Sequence, residues 1–258
     1  MPNIDIPVRE LIAWPLDDYT YRPKTSHVAI AQAKAALATR QPYRAAAALL
    51  QHETDANQAA FAVQASRADL LDEMQGLDWS LGIVDLTKLL AFQRRLSFHP
   101  NHRLQLEAFG APKPIACDTT QSGRSFTITT TDPNLHLRIV GQQPQLHTGS
   151  PFFEVAEYRG RWFLRDGYHR AYAMLRAGIT QSAAVIIRAR SLAELGATQP
   201  WFFSEDVLFS SHPPHVTDFL DDALNIEYTR PPLIKTLHVT IEESYKLASS
   251  QAAQGEPS

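Results

Sequence analysis

Arg161-Trp-Phe-Leu-Arg165-Asp166-Gly167-Tyr168-His169-Arg170-Ala-Tyr-Ala-Met-Leu175-Arg-Ala-Gly178, followed by Ala183-Ala-Val-Ile-Ile187, reads as strand, tight turn, helix, strand. Trp162, Phe163 and Leu164 favour a strand. Gly167 permits a positive φ or the close approach of another group to the backbone. Ala171, Met174 and Leu175 follow at i, i+3, i+4 spacing and share one helix face. Gly178 stands where a C′ glycine ends a helix. Val185-Ile-Ile187 is short and apolar, as in a buried strand. The turn therefore sets a carboxylate, a glycine, an imidazole and a guanidinium at a helix N-terminus. Free N–H groups and a partial positive charge suit that end to an anion such as phosphate. The plainer reading is a solvated turn with Asp166 as N-cap. On spacing alone the two readings stand equal.

Either side of this unit, the pattern is mixed. Residues 1–24 hold four prolines and read as an extended arm. Residues 25–75 are Ala-rich and helical in three stretches: from His27, from Pro42 to Leu50, and over Asn57–Met74. Trp79–Val84 reads as a strand, and Thr87–Arg95 as a turn of helix entering a loop. Residues 97–118 are irregular. Ser125–Thr131 and Leu135–Val140 flank Asp132-Pro-Asn and predict a β-hairpin. Residues 141–151 read as loop, Phe152–Tyr158 as a strand and Arg159-Gly160 as a turn. Further on come a short helix at Ser191–Leu195, a helix at His215–Leu224, a strand at Leu237–Ile241 and a helix at Glu242–Ala248. Residues 249–258 read as a disordered tail. The fold class is α+β. The expected organisation is an N-terminal arm and helical region (1–76), a core (77–190) with an insertion at about 97–150, and a C-terminal α/β extension (191–248) packed on the core.

Bulk properties exclude several classes. The chain has 258 residues, enough for one or two domains. Its 24 basic and 27 acidic residues give a net charge of −3, without the basic footprint of a nucleic-acid binder. One cysteine, Cys117, allows neither an intrachain disulfide nor a cysteine metal cluster. No apolar run spans a membrane and no leader is read at the N-terminus, so the cytoplasm is the expected compartment. His99-Pro-Asn-His102 and His212-Pro-Pro-His215 have histidines three apart, but their prolines favour loops over a chelating helix. Trp201-Phe-Phe203 reads as core packing rather than a stacking platform.

Three pieces in this order resemble the ParB/sulfiredoxin superfamily: Ile83–Arg95 with Gln93-Arg94-Arg95, the strand Phe152–Tyr158, and Trp162–Leu175 with its Asp-Gly-x-His-Arg turn and the strand after it. The resemblance covers roughly 79–95 and 150–190, and implies a mixed-sheet core carrying the Ala-rich helical region and the hairpin insertion. It also implies that Gly167, Tyr168, His169 and Arg170 bind nucleotide phosphates, with Gln93, Arg94 and Arg95 on the other side of the pocket. Asp166 would hold Mg²⁺ or one of its waters. Asp166, His169 and Glu154 are the expected catalytic groups. Glu154 and Glu157 lie at odd spacing, so only one of them can face a pocket. Arg94 stands where the family has proline. Tyr168 stands where sulfiredoxins have their cysteine, which argues against sulfinic acid reduction. No basic helix-turn-helix follows, in contrast to partition proteins. Free serine kinases share the fold and transfer a phosphoryl group. The expected function is thus Mg²⁺-dependent phosphoryl transfer or hydrolysis with ATP or another NTP, acting on a small-molecule or protein acceptor. The alternatives are a nucleotide-gated interaction module without turnover, and a DNA-associated ParB-like protein.

Overall fold

The computed structural model describes residues 5–24, 27–50, 55–99, 106–111, 117–131, 135–140, 143–148, 150–240 and 242. The chain is α+β. In order it forms β1 (Ile6–Leu11), α1 (His27–Ala38), β2 (Leu49–Leu50), α2 (Asp55–Ala65), α3 (Ala68–Glu73), β3 (Trp79–Asp85), β4 (Leu90–Ala91) and β5 (Arg95–Ser97). There follow β6 (Asp118–Ser122), β7 (Ser125–Thr130), β8 (Leu135–Val140), β9 (Gln143–Thr148), β10 (Glu154–Tyr158), β11 (Arg161–Asp166), α4 (Tyr168–Arg176) and β12 (Gln181–Arg188). The last elements are α5 (Leu192–Leu195), α6 (Glu205–Leu208), β13 (Asn225–Arg230) and β14 (Lys235–Thr240). Residues 1–113 with 150–232 make one unit, and 114–149 with 233–258 another. Residues 191–232 of the expected C-terminal extension thus fall in the first unit, and the rest joins the insertion in the second.

In the first unit a six-stranded sheet runs β2-β3-β12-β10-β11-β4, and a smaller one runs β13-β1-β5. Strand β12 pairs parallel with β10 and antiparallel with β3, so both its edges are covered. Ala184–Ile187 are accordingly buried, which accounts for the unbroken apolar run. Strands β10 and β11 form a hairpin across Arg159-Gly160, both at positive φ (52° and 74°), the geometry a two-residue hairpin turn needs. Helix α4 buries Ala171 and Met174. It ends in the expected manner: Gly178 N–H donates to the Leu175 carbonyl at 3.0 Å and Ile179 N–H to Met174 at 2.9 Å.

Four expectations need correction. Pro42–Leu50 is not a helix. Its few alanines are too short a run to hold one, and Leu49 and Leu50 pair instead with Val84 and Ile83. Strands β7 and β8 do not pair with each other. Within the second unit β7 lies between β6 and β14, while β8 pairs with β9, which occupies part of the expected loop 141–151. The hairpin there is β6–β7, turning at Gly123-Arg124 with Gly123 at φ 59°. His215–Leu224 is two 3₁₀ turns, Val216–Leu220 and Asp222–Leu224. Asp218 accepts from the His215 N–H and Asp221 from the Ala223 N–H, competing with a continuous helical ladder. The arm is no loose extension over 6–11: Ile6 and Val8 are buried in the central strand of the smaller sheet. The expected helix to Ala248 and the tail 249–258 lie outside the described residues, as do Asp132-Pro-Asn and His102. Among the described residues no helix is long and apolar enough to cross a membrane.

Candidate functional site

Strand pairing builds the site. Glu154 opens β10, Asp166 closes β11, and the two stand opposite each other in register, next to a β-bulge. Like charges directly opposite on neighbouring strands repel. Glu73, at the end of α3, adds a third carboxyl to the same field. Arg165 donates to Glu154 Oε2 and, at 3.2 Å, to the Glu194 carbonyl. Among the described residues Glu154 Oε1 has no hydrogen-bond partner, on a residue only 1% exposed.

Glu73 and Asp166 hold their protons tightly. Burial first, and then the Glu154 and Asp166 charges, push Glu73 up to about 8, against smaller opposing effects of the Ser150 hydroxyl and Arg165. Burial and Glu154 push Asp166 up to about 6, opposed by Arg170, the Gly167 N–H and Arg165. Carboxyls displaced by both desolvation and like charge, gathered at a turn, have the character of a functional site.

The turn itself is shaped by Gly167, at φ 97°, whose N–H donates to Asp166 Oδ1 at 2.5 Å. Asp166 is thus not the N-cap; Gly167 is, and no side chain caps α4. A Cβ on Gly167 would stand 2.7 Å from Phe153 Cδ2. Gly167→Ala is expected to lower stability by about 2 kcal/mol through strain and clash, read as a lower urea midpoint. An unchanged midpoint would mean that the turn relaxes freely.

The remaining expected residues are placed as follows. Arg170, 9% exposed, aims its guanidinium at backbone: it donates to the carbonyls of Glu107 (3.0 Å), Pro151 (2.8 Å) and Phe152. His169 Nε2 hydrogen-bonds the Ser97 carbonyl at 3.0 Å, and its ring meets Phe98 edge-on. The Tyr168 phenol oxygen accepts from the N–H groups of Phe92 (3.0 Å) and Gln93 (3.3 Å), and burial raises its pKa above the usual range.

Arg94 and Arg95 face the N-terminal arm rather than the turn, and Gln93 bonds within its own loop. Gln93 donates to the Arg95 carbonyl at 2.7 Å. Arg94 donates to the Pro15 carbonyl at 2.6 Å and lies over the Phe203 ring. Arg95 binds Glu10 at 2.8 Å and Asp17 at 2.5 Å, and stacks on Tyr19 at 4.1 Å. The tie between this loop and the turn is Tyr168. The structure therefore gathers Glu154, Asp166 and the uncapped start of α4, adds Glu73, Arg165 and Ser150, and gives the Arg94 and Arg95 side chains to the arm. Glu157, one residue before the β10 end, lies in register with Trp162 and apart from this cluster.

Metal-binding potential rests on the carboxyls, whose hard oxygens suit Mg²⁺. Among the described residues, no three His, Cys, Asp or Glu side chains stand together at ligating spacing. Mg²⁺ needs no such cage, since one or two carboxylates plus substrate phosphates and water complete its shell. Of the histidine pair at 212 and 215, His212 Nε2 bonds the Arg40 carbonyl at 3.1 Å. Phe203 is core, whereas Trp201 is half exposed.

No protein-family model, no curated protein and no solved structure matches this chain.

Proposed function

We propose that the chain is a nucleotide-binding protein of ParB/sulfiredoxin-like fold, acting in Mg²⁺-dependent phosphoryl transfer or NTP hydrolysis, with the phosphates at the Asp166–Arg170 turn. The observation that carries this reading is the juxtaposition of an uncapped helix start at Gly167 with the opposed carboxyls Glu154 and Asp166. Helix amides attract phosphate, and buried carboxylates repel it. The two are compatible only with a cation between them. Asp166 and the unpartnered oxygen of Glu154 are the groups that would hold it. Mg²⁺ there would neutralise phosphate charge and bridge phosphate oxygens.

Roles divide by exposure. Amides of the α4 start orient the phosphates. Arg165 is the guanidinium with open surface, its side chain 24% exposed, and supplies countercharge. Glu73, poised near neutral pH, takes the acceptor's proton or that of water. Arg170 positions the turn from behind by holding three carbonyls. Loss of charge repulsion on binding gives the site a reason to keep three carboxyls in a field that disfavours them.

The test is a thermal-shift panel with ATP, ADP, CTP, GTP and inorganic phosphate, with and without Mg²⁺. Asp166→Asn is expected to melt higher than wild type without ligand, because it removes a repelled charge. It is expected to lose the Mg²⁺-dependent nucleotide shift, about 3 kcal/mol at a hundredfold excess over Kd. A shift without turnover would mark the nucleotide-gated module instead. No shift with any nucleotide would sink the reading.

A further inference from the structure

Strand β11 runs parallel to β4, with Leu164 beside Ala91, so Arg165 and Phe92 follow side by side. The loop from Leu195 to Phe203 passes next to them, and both its ends are buried. Arg165 Nε donates to the Glu194 carbonyl at 3.2 Å, and the Phe203 N–H to the Phe92 carbonyl at 2.9 Å. Gly196, at φ 85°, lies against both side chains. A Cβ there would stand 3.6 Å from Arg165 Cγ and Nε and 3.9 Å from Phe92 Cζ.

This loop displays an indole. Of the four tryptophans, Trp14 and Trp162 are buried and Trp79 is half-buried, whereas Trp201 is 52% exposed. Backbone fixes that exposure. The Phe202 N–H donates to the Gln199 carbonyl at 3.1 Å and closes a turn with Pro200 second and Trp201 third. Proline locks φ, so little chain entropy remains to be lost when a ligand covers the indole. Trp201 meets Phe202 at 6.1 Å with the planes at 71°, an edge contact that leaves a ring face clear for stacking.

The indole is joined to the candidate site. Phe202 is half-buried and meets Phe92 at 4.9 Å, and Phe92 meets Tyr168 at 5.8 Å. The aromatic path Trp201–Phe202–Phe92–Tyr168 thus ends on the first residue of α4 and runs beside Arg165, the guanidinium with open surface. Its length is comparable with that of an extended nucleoside triphosphate whose phosphates lie at the turn. Charge says which end of a nucleotide this loop suits. No lysine or arginine occurs from 191 to 229, and Glu205 and Asp206 follow the turn. A phosphate or a nucleic-acid backbone finds no countercharge on the loop, whereas an uncharged aromatic base needs none. Thr198, Gln199 and Ser204 are exposed around the indole and offer polar atoms to a base edge.

We propose that Trp201 is the platform on which the base of a purine nucleoside triphosphate stacks. The inference rests on the nucleotide reading of the Asp166–Arg170 turn and deepens it by naming the base class. A purine is favoured because its two fused rings cover the indole, where a pyrimidine covers about half.

The experiment titrates the full chain with ATP, GTP, CTP and inorganic triphosphate in Mg²⁺, following tryptophan emission and melting temperature together. ATP and GTP are expected to quench emission saturably, and CTP to bind about fivefold more weakly. Triphosphate is expected to raise the melting temperature without quenching. Trp201→Leu, at an exposed turn, should melt as wild type without ligand. It should lose the quench and bind ATP about tenfold more weakly, with triphosphate affinity unchanged. Trp201→Phe should recover part of the ATP affinity. Unchanged ATP affinity in Trp201→Leu, with the Asp166-dependent shift intact, would overturn this inference and leave the phosphate reading standing. An equal loss of ATP and triphosphate affinity would also overturn it, since the indole would then support the turn and not the base. No shift with any of the four ligands would remove both readings together.

Discussion

Arg170→Ala lowers the unfolding free energy by about 3–5 kcal/mol, the scale of breaking a buried, hydrogen-bonded charge arrangement. The guanidinium joins three carbonyls from two segments, Glu107 on one and Pro151 and Phe152 on the other, to the first turn of α4. Truncation leaves these acceptors short of a donor and opens a hole against the Phe153 ring, over which the guanidinium lies at 5.8 Å. Arg170→Lys loses about 2 kcal/mol, because one ammonium cannot reproduce a planar fork aimed at three oxygens. Urea unfolding without ligand measures both. A side chain that served only to contact phosphate would leave ligand-free stability within about 0.5 kcal/mol of wild type, so that result would return Arg170 to the phosphate.

This expectation exposes what the sequence could and could not say. Strand, turn and helix over 161–178 were legible because their causes are local: aromatic β-formers, a glycine at φ 97°, an i, i+3, i+4 stripe and a C′ glycine. The aim of Arg170 was not legible, because its acceptors are backbone carbonyls up to 63 positions away. The same holds for Glu73. It ends the short helix α3, Ala-Asp-Leu-Leu-Asp-Glu, which carries no chemical signature, and reaches the site through tertiary packing alone. Gln93-Arg94-Arg95 was legible as a basic loop but not as a partner of the arm, since nothing in its own pattern points to Glu10 and Asp17. Local propensity failed where pairing outweighed it, as at Leu49–Leu50, and where aspartates compete for amides, as at 218 and 221.

Glu73→Gln is expected to raise stability by about 2–3 kcal/mol at pH 8–9 and to flatten the pH dependence above neutrality. The Glu73 carboxyl holds its proton to about pH 8 in the folded protein but releases it near the ordinary value of 4.5 when unfolded. Across that interval the native state binds the extra proton, so stability falls as pH rises and levels off above about 8. Asp166 adds a loss in the same direction, from its usual 3.8 to about 6. Asp17 acts oppositely, since Arg95 and Arg22 hold it down to about 2 against the effect of burial, and its contribution fades only in strong acid. His215, whose pKa burial lowers, makes stability rise with pH, but only below its ordinary 6.5. The interval from pH 6.5 to 9 therefore isolates Glu73. Urea midpoints there should decline for wild type and stay level for the glutamine variant. A wild-type curve flat over this range would show that the three carboxyls do not share a field. The same field links stability to function. A cation between Glu154 and Asp166 favours their ionised forms and lowers the affinity of Glu73 for its proton. Mg²⁺ with nucleotide should thus abolish the wild-type decline, whereas ionic strength alone leaves most of it, because buried charges are weakly screened.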